Sequence, residues 1–317
     1  MPLPHGALAL ARRSVGEIRS VEVIEGGQHS TLRVRGDHEV IVKVFPVGHK
    51  GYGTERIALR RLARVDLVPR LLGEAEDADG AYVLLASLPG KSLAERLSEP
   101  TYQGQPALID AASVLGRLHS ILRSVGEADT NRFALDELAA LATSGVFLLD
   151  EYRRRVQSAE AFLGVDRLAA VLRTLEEHRA TFDRVCSRVQ LVHGDYQPRN
   201  ILVGDVHQVI AVLDWELARR ASPICDIAML LRFARSSSAE VELLRAYDGL
   251  PWSTDDTLLA ARCYDAAKVT LGISKATGWS SDLPSWLDYI DGCLDCVACR
   301  GDERLRAAAS KLLFFEK

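Results

Sequence analysis

Three oxygen-bearing side chains, Asp195, Asn200 and Asp214, stand within one stretch, LVHGDYQPRNILVGDVHQVIAVLDW, residues 191–215. Their types suit one kind of chemistry. An aspartate can orient a hydroxyl and accept its proton, while an asparagine amide oxygen and a second aspartate are hard ligands able to hold Mg²⁺ beside phosphate oxygens. Four residues separate Asp195 from Asn200, so a proton acceptor and a metal ligand share one short loop. Asp214 lies further on, and the chain between must bring it back.

That connecting segment has the means. Ile201-Leu202-Val203 and Val209-Ile210-Ala211-Val212-Leu213 are short apolar runs, and the turn between them begins with Gly204-Asp205, a hairpin signal. A hairpin makes neighbours of Asn200 at its entrance and Asp214 at its exit. Asp, Asn, Gly and Pro are also ordinary turn residues, and HxDxxxxN alone could be a polar loop between strands. The closing Asp214 weighs against that reading.

HGDYQPRN followed by LDWE resembles the aminoglycoside phosphotransferase family, small-molecule kinases with a protein-kinase-like fold. The resemblance implies an α+β, two-lobed architecture: a small antiparallel β nucleotide lobe, residues 1–87, and a larger, mainly helical catalytic and substrate-binding lobe, residues 88–317. It implies Asp195 as the catalytic base, Asn200 and Asp214 as Mg²⁺ ligands, and His193 and Asp226 as structural support for the loop. ATP is the expected donor, with GTP as an alternative. Where protein kinases follow the last aspartate with Phe-Gly, this chain has Trp215-Glu216, and no Ala-Pro-Glu motif follows. Both departures argue against a switchable activation segment and a protein substrate.

The elements that must position these groups begin upstream. Val21–Ile24, Thr31–Val34 and Glu39–Phe45 alternate as a small antiparallel sheet. The turn EGGQHS could lay backbone N–H groups and Ser30 over phosphates, since Gly27 tolerates close approach, though paired glycines also simply make hairpins. Lys43 interrupts an apolar strand with a charge. In a kinase-like fold such a lysine reaches the nucleotide phosphates and pairs with a helix glutamate. Glu55 is the sole carboxylate in residues 44–65 and opens an apolar-periodic helix, GTERIALRRLARV. Strands at Leu71-Leu72 and Ala81–Leu85 follow. Ala86-Ser87-Leu88 resembles the family's interlobe hinge, where adenine would bond to backbone. Gly90-Lys91-Ser92 looks like a P-loop ending, but that pattern needs a glycine where Leu85 stands.

From residue 92 the chain reads as helical, with strongly periodic segments at 106–123 and 165–188. His119, in the first, reads as a packed histidine. The 73 residues between His119 and His193 exceed a protein kinase's usual spacing, and in the resembling family such length helps build the acceptor pocket. Asp226 opens the helix of ASPICDIAMLLRFAR, where a carboxylate suits the positive end of the helix dipole. From Asp255 to Glu303 nine acids face four bases, a local balance of −5, which could attract a cationic acceptor or could simply be a solvated helix face. Trp252, Trp279, Trp286 and Tyr289 could stack on sugar rings or fill the core. Cys293, Cys296 and Cys299 have a metal-like spacing but lack a nearby fourth ligand, and on a helix they share an apolar face.

A chain of 317 residues with 48% hydrophobic composition can fill two cores, and a net charge of −4 without a basic stripe argues against nucleic acid. No apolar run approaches the roughly 20 residues of a membrane span. The expected protein is cytoplasmic, monomeric or dimeric, and phosphorylates a hydroxyl of an aminoglycoside or similar natural product. The alternatives are a metabolic kinase for choline, homoserine or a sugar, and a nucleotide-binding pseudokinase scaffold.

Overall fold

The computed structural model of the chain describes residues 4–24, 30–127, 149–275, 283–298 and 303–312; Gly27, Trp279 and Cys299 lie outside them. The chain divides into two compact units, chiefly Met1–Pro100 with Pro198–Ala218, and Thr101–Gln197 with Arg219–Glu316. The division differs from a cut between residues 87 and 88, because strand pairing draws the 198–218 segment into the first unit.

The first unit is built on a five-stranded antiparallel sheet, β1 (Ser20–Ile24), β2 (Ser30–Arg35), β3 (Glu39–Phe45), β4 (Leu71–Glu76) and β5 (Ala81–Ala86), in the order β1-β2-β3-β5-β4. An N-terminal helix, α1 (His5–Val15), covers one face. Its Ala7, Leu10, Ala11 and Val15 recur at helical spacing and pack against Leu32, Val34, Val40, Val42, Tyr82 and Leu84. Because side chains alternate along a strand, Val40 and Val42 take the α1 face and Ile41, Lys43 and Phe45 take the other. The helix α2 (Lys50–Arg61) follows β3, its N-cap being His49, whose ring accepts the Gly51 N–H at 3.2 Å.

A second, three-stranded sheet joins β6 (Lys91–Ser92) to the hairpin of β8 (Ile201–Val203) and β9 (Val209–Val212). At its edge Gly90 has φ 119°, and a Cβ there would meet the Val203 carbonyl oxygen at 2.8 Å, so glycine is required by both conformation and space. Ser92 and Glu95 form a reciprocal capping box at the start of α3 (Leu93–Ser98). The Gly-Lys-Ser run therefore makes a turn and a cap.

The second unit is mainly helical: α4 (Gln105–Glu127), α5 (Leu149–Val156), α6 (Glu160–Leu163), α7 (Val165–Glu177), α8 (Arg179–Cys186), α9 (Ile224–Leu231), α10 (Ser237–Ala246), α11 (Thr254–Lys275), α12 (Leu283–Val297) and α13 (Glu303–Leu312). The single helix expected over 165–188 is two, broken at His178, whose φ of −105° and ψ of 14° leave the helical range. Strands β7 (Gln190–Val192) and β10 (Arg219–Ala221) pair antiparallel at the two chain crossings. Every residue of α9 is buried, in keeping with its nearly continuous apolar sequence. Cys293 is buried and Cys296 partly exposed on α12, and neither joins a metal-capable group among the described residues. No described helix is long and apolar enough to cross a membrane.

Candidate active site

In the first unit the site is built around a buried cation. Lys43 sits on β3, between β2 and β5, opposite Thr31 on one side and Val83 on the other. Its Nζ donates to Glu55 Oε2 at 2.6 Å and to Asp214 Oδ1 at 2.7 Å, and it lies 5.3 Å from the Phe45 ring centre on the same sheet face. Burial alone would push the amine toward its neutral form, but the charges of Glu55 and Asp214 outweigh it and hold the pKa above the ordinary lysine range. Burial raises Glu55, with Lys43 opposing and Asp214 adding to the rise. The Glu55–Lys43 pair thus forms despite the short separation in sequence.

Asp214 reaches this lysine through the expected hairpin. Ile201 pairs with Val212, and the Leu213 N–H donates to the Asn200 carbonyl at 2.7 Å, which sets Asn200 and Asp214 at the same end. Asp214 adopts a left-handed backbone, φ 65° and ψ 66°, a conformation that costs a non-glycine residue on the order of 1 kcal/mol. The following Trp215 is fully buried and donates its Nε1–H to the Val212 carbonyl at 2.9 Å, anchoring the turn. Carboxylate oxygens of Glu55, Asp214 and Glu216 lie within 4.8 Å of one another. Lys43 already bridges two of these groups, so this trio is organised by an ammonium. The donors suited to Mg²⁺ are instead the oxygens of Asn200 and the partly exposed Asp214, both hard ligands.

The second unit fixes the loop that carries Asp195. Gly194 has φ 84°, and the bend aims two successive backbone N–H groups, of His193 and Gly194, at the two oxygens of Asp226, each at 2.8 Å. Asp226 is fully buried. Burial would raise its pKa, but the hydrogen bond and charge of His119, the His193 charge and the backbone donor bring it below the ordinary aspartate range. His119 Nε2 is 3.0 Å from Asp226 and its Nδ1 2.7 Å from the Tyr247 hydroxyl. The Asp195 N–H donates to His193 Nδ1 at 3.2 Å. One contact escaped the sequence: Gln197 Nε2 lies 2.9 Å from both carboxylate oxygens of Asp195, and both side chains are buried. A glutamine two residues after a candidate base was the available signal.

The remaining nucleotide candidates are less constrained. Ser30 begins β2 opposite Val44. The Ala86 N–H donates to the Arg70 carbonyl at 2.9 Å, and the Ser87 hydroxyl to Glu39 at 2.5 Å. The backbone of Leu88 makes no hydrogen bond among the described residues. In the helical unit four of the nine acids of 255–303, namely Asp256, Asp265, Asp288 and Asp291, sit in ion pairs. Asp256 pairs with Arg184 at 2.8 Å, Asp265 with Arg232 at 2.8 Å, and Asp288 with Arg304 at 3.1 Å. Asp291 takes both Arg167 nitrogens at 2.7 and 2.9 Å. Trp286 and Tyr289 are buried against the Arg232 guanidinium, which lies 5.9 and 5.5 Å from their ring centres.

Comparison with known proteins bears on the family and the fold. The profile of the phosphotransferase enzyme family matches residues 20–257. No curated protein sequence matches the chain. Among solved structures, an aminoglycoside phosphotransferase APH(3'')-Id from Streptomyces rimosus, in complex with ADP and streptomycin, is similar at a TM-score of 0.56 and 18% identity, over 85% of this chain and 97% of that one. A macrolide 2'-phosphotransferase from Brachybacterium faecium gives 0.56 and 20%, over 98% of each chain. A choline kinase from Streptococcus pneumoniae gives 0.55 and 16%, over 95% and 96%. The likeness shows a shared kinase-like fold.

Proposed function

From the premise that the chain belongs to the phosphotransferase enzyme family, whose profile spans well over half of it, we propose that it moves the γ-phosphoryl group of ATP to a hydroxyl of a small molecule. The P–O bond to the departing ADP breaks, a P–O bond to the acceptor oxygen forms, and the hydroxyl proton passes to Asp195. A loose transition state lets that proton leave late, so Asp195 needs no raised pKa. Gln197 steadies its carboxylate, and the Asp226 anchor holds the loop backbone that carries it. Lys43, oriented by Glu55, binds the α/β-phosphates. The backbone of Leu88 is available to the adenine. Asn200 and Asp214 would hold Mg²⁺, which when bound neutralises charge between the phosphate oxygens and the approaching hydroxyl.

The observation that carries this reading is Lys43 held at hydrogen-bond distance from both Glu55 and Asp214 on one face of the antiparallel sheet. The solved structures similar to this chain include an aminoglycoside phosphotransferase, a macrolide phosphotransferase and a choline kinase, so the likeness leaves the acceptor open. A coupled ADP-release screen tests it: aminoglycosides, other antibiotics, nucleosides, sugars and metabolic alcohols, with ATP and with GTP, and Asp195→Ala as control. Acceptor-stimulated release that disappears in the control supports the transferase. Nucleotide binding without transfer to any acceptor would favour a scaffold instead.

A further inference from the structure

The Asp195 loop hangs by its backbone on the Asp226 carboxylate, and Asp226 is itself met by a side chain of α4. An ionised carboxylate only accepts hydrogen bonds, so the nitrogen 3.0 Å from Asp226 Oδ2, His119 Nε2, carries a hydrogen. Nδ1 then lies on the far side of the ring, with the Tyr247 hydroxyl 2.7 Å from it. The two rings meet edge to face, their centres 5.7 Å apart. Which histidine nitrogen bears the hydrogen is governed by the bond that the other one makes. A hydroxyl can donate to a bare Nδ1 or accept from a protonated one, and in both cases it leaves the Nε2 hydrogen on Asp226.

Packing holds both rings in place. Gln190 Nε2 donates to the His119 carbonyl at 3.3 Å, which ties α4 to the strand that enters the loop. Gly116 stands one turn before His119 on the same face of α4. A Cβ there would meet the Asp248 backbone nitrogen at 2.7 Å and the Tyr247 carbonyl carbon at 3.3 Å, so glycine lets the end of α10 lie against α4. Tyr247 caps that end, its N–H donating to the Leu243 carbonyl at 3.0 Å. Burial, with the Asp226 charge, pushes the buried phenol above its ordinary range, so the group stays a hydroxyl. Among the described residues that hydroxyl makes no other hydrogen bond. Phenylalanine would fill the same space, and the oxygen's one contact is His119.

We propose that Tyr247 is a positioning residue for phosphoryl transfer: by keeping the Nε2 hydrogen of His119 on Asp226, it holds the His193–Gly194 backbone, and through it the Asp195 carboxylate, in the pose that takes the acceptor's proton. The inference rests on the phosphotransferase reading and adds to it a residue that acts only through others.

The experiment compares the full chain with Tyr247→Phe, which removes the hydroxyl alone, and with Gly116→Ala, which forces the Tyr247-Asp248 backbone away from α4. ADP release from MgATP is measured with the acceptor that the screen finds and with water as acceptor, Asp195→Ala being the control. Thermal melting checks folding. Nitrogen NMR of histidine-labelled protein reads His119, whose signals are those missing from His119→Gln. The expected result is a ring protonated at Nε2 in the parent and altered in Tyr247→Phe, with kcat lower by ~10-fold and the KM for ATP within about twofold. Gly116→Ala should follow in both readouts, and it carries the test if Tyr247→Phe does not fold. A lower melting point with the His119 signals or kcat unchanged makes Tyr247 a stabilising residue only and overturns the inference, as does a parent ring protonated at Nδ1 alone. Those results leave the transferase standing. If no ADP release depends on Asp195, the transferase reading falls and this inference with it.

Discussion

Lys43 Nζ donates to Asp214 Oδ1 at 2.7 Å, although they stand 171 positions apart in the chain. The bond ties the centre of the five-stranded sheet to the end of the β8–β9 hairpin, inside one unit. Replacing Lys43 by Met removes the cation that meets the phosphates and leaves Glu55 buried without its partner. The expected result is a kcat/KM for ATP lower by ~100-fold, as a charge-assisted contact is worth about 1.5–3 kcal/mol. Glu55→Gln keeps the lysine beside Asp214, and its loss should be about tenfold. Steady-state ADP release and nucleotide titration measure both, and a Lys43→Met variant with unchanged nucleotide affinity would remove Lys43 from the phosphate site.

Asp214 invites a cleaner substitution. Its left-handed backbone is one that Asn adopts more readily than other non-glycine residues, so Asp214→Asn should keep the turn and melt close to the parent. Removal of the carboxylate should nevertheless abolish Mg²⁺-dependent nucleotide binding and turnover. Thermal melting with and without Mg²⁺ and ATP reads this directly: the parent should gain stability from the pair of ligands and the variant should not.

Much of this was legible beforehand because it is local. The hairpin, the pairing of Asn200 with the residues before Asp214, and the Lys43 strand all follow from short apolar periods and turn residues. Asp226 could be placed near a helix start, but its two bonds to the His193 and Gly194 N–H groups depend on tertiary packing that no short period encodes. Helix α1 went unread although Ala7, Leu10, Ala11 and Val15 carry helical spacing, since arginines and small residues dilute the pattern. The acidic balance of 255–303 is a net charge, which counts carboxylates without the partners that four of them find in Arg167, Arg184, Arg232 and Arg304, a matter of tertiary packing.

Gln197 should act on rate more than on binding. Its amide contacts both Asp195 oxygens at 2.9 Å, and an unoriented carboxylate meets the acceptor hydroxyl less often in a productive pose. Gln197→Ala should reduce kcat by up to ~100-fold with the acceptor KM changed much less. Equal loss in kcat/KM through KM alone would make Gln197 a binding residue and would detach it from Asp195.

Asp226 gives the fold a dependence on acid. Its folded pKa lies below the ordinary value, so the unfolded chain binds the proton more readily and the stabilisation is lost as pH falls. The contribution is complete above the unfolded aspartate pKa of about 3.9 and drains away as pH falls through the lower folded value. Asp226→Asn turns an NH₂ toward donor N–H groups and should remove roughly 2–4 kcal/mol at neutral pH. Urea unfolding of both proteins at pH 7 and near pH 3 should show the gap between them closing in acid. A constant gap would mean that the carboxylate charge is not what holds the His193–Gly194 backbone.

Arg232 and Asp265 form a buried ion pair, at 7% and 0% exposure, in which two nitrogens meet two oxygens and Tyr289 supplies a further donor. Removing one partner of such a pair strands a charge away from water, which costs about 3–5 kcal/mol, whereas replacing both with apolar groups of similar volume is often neutral. Asp265→Leu should therefore destabilise strongly, and Arg232→Met with Asp265→Leu should recover most of the loss, measured as the urea midpoint.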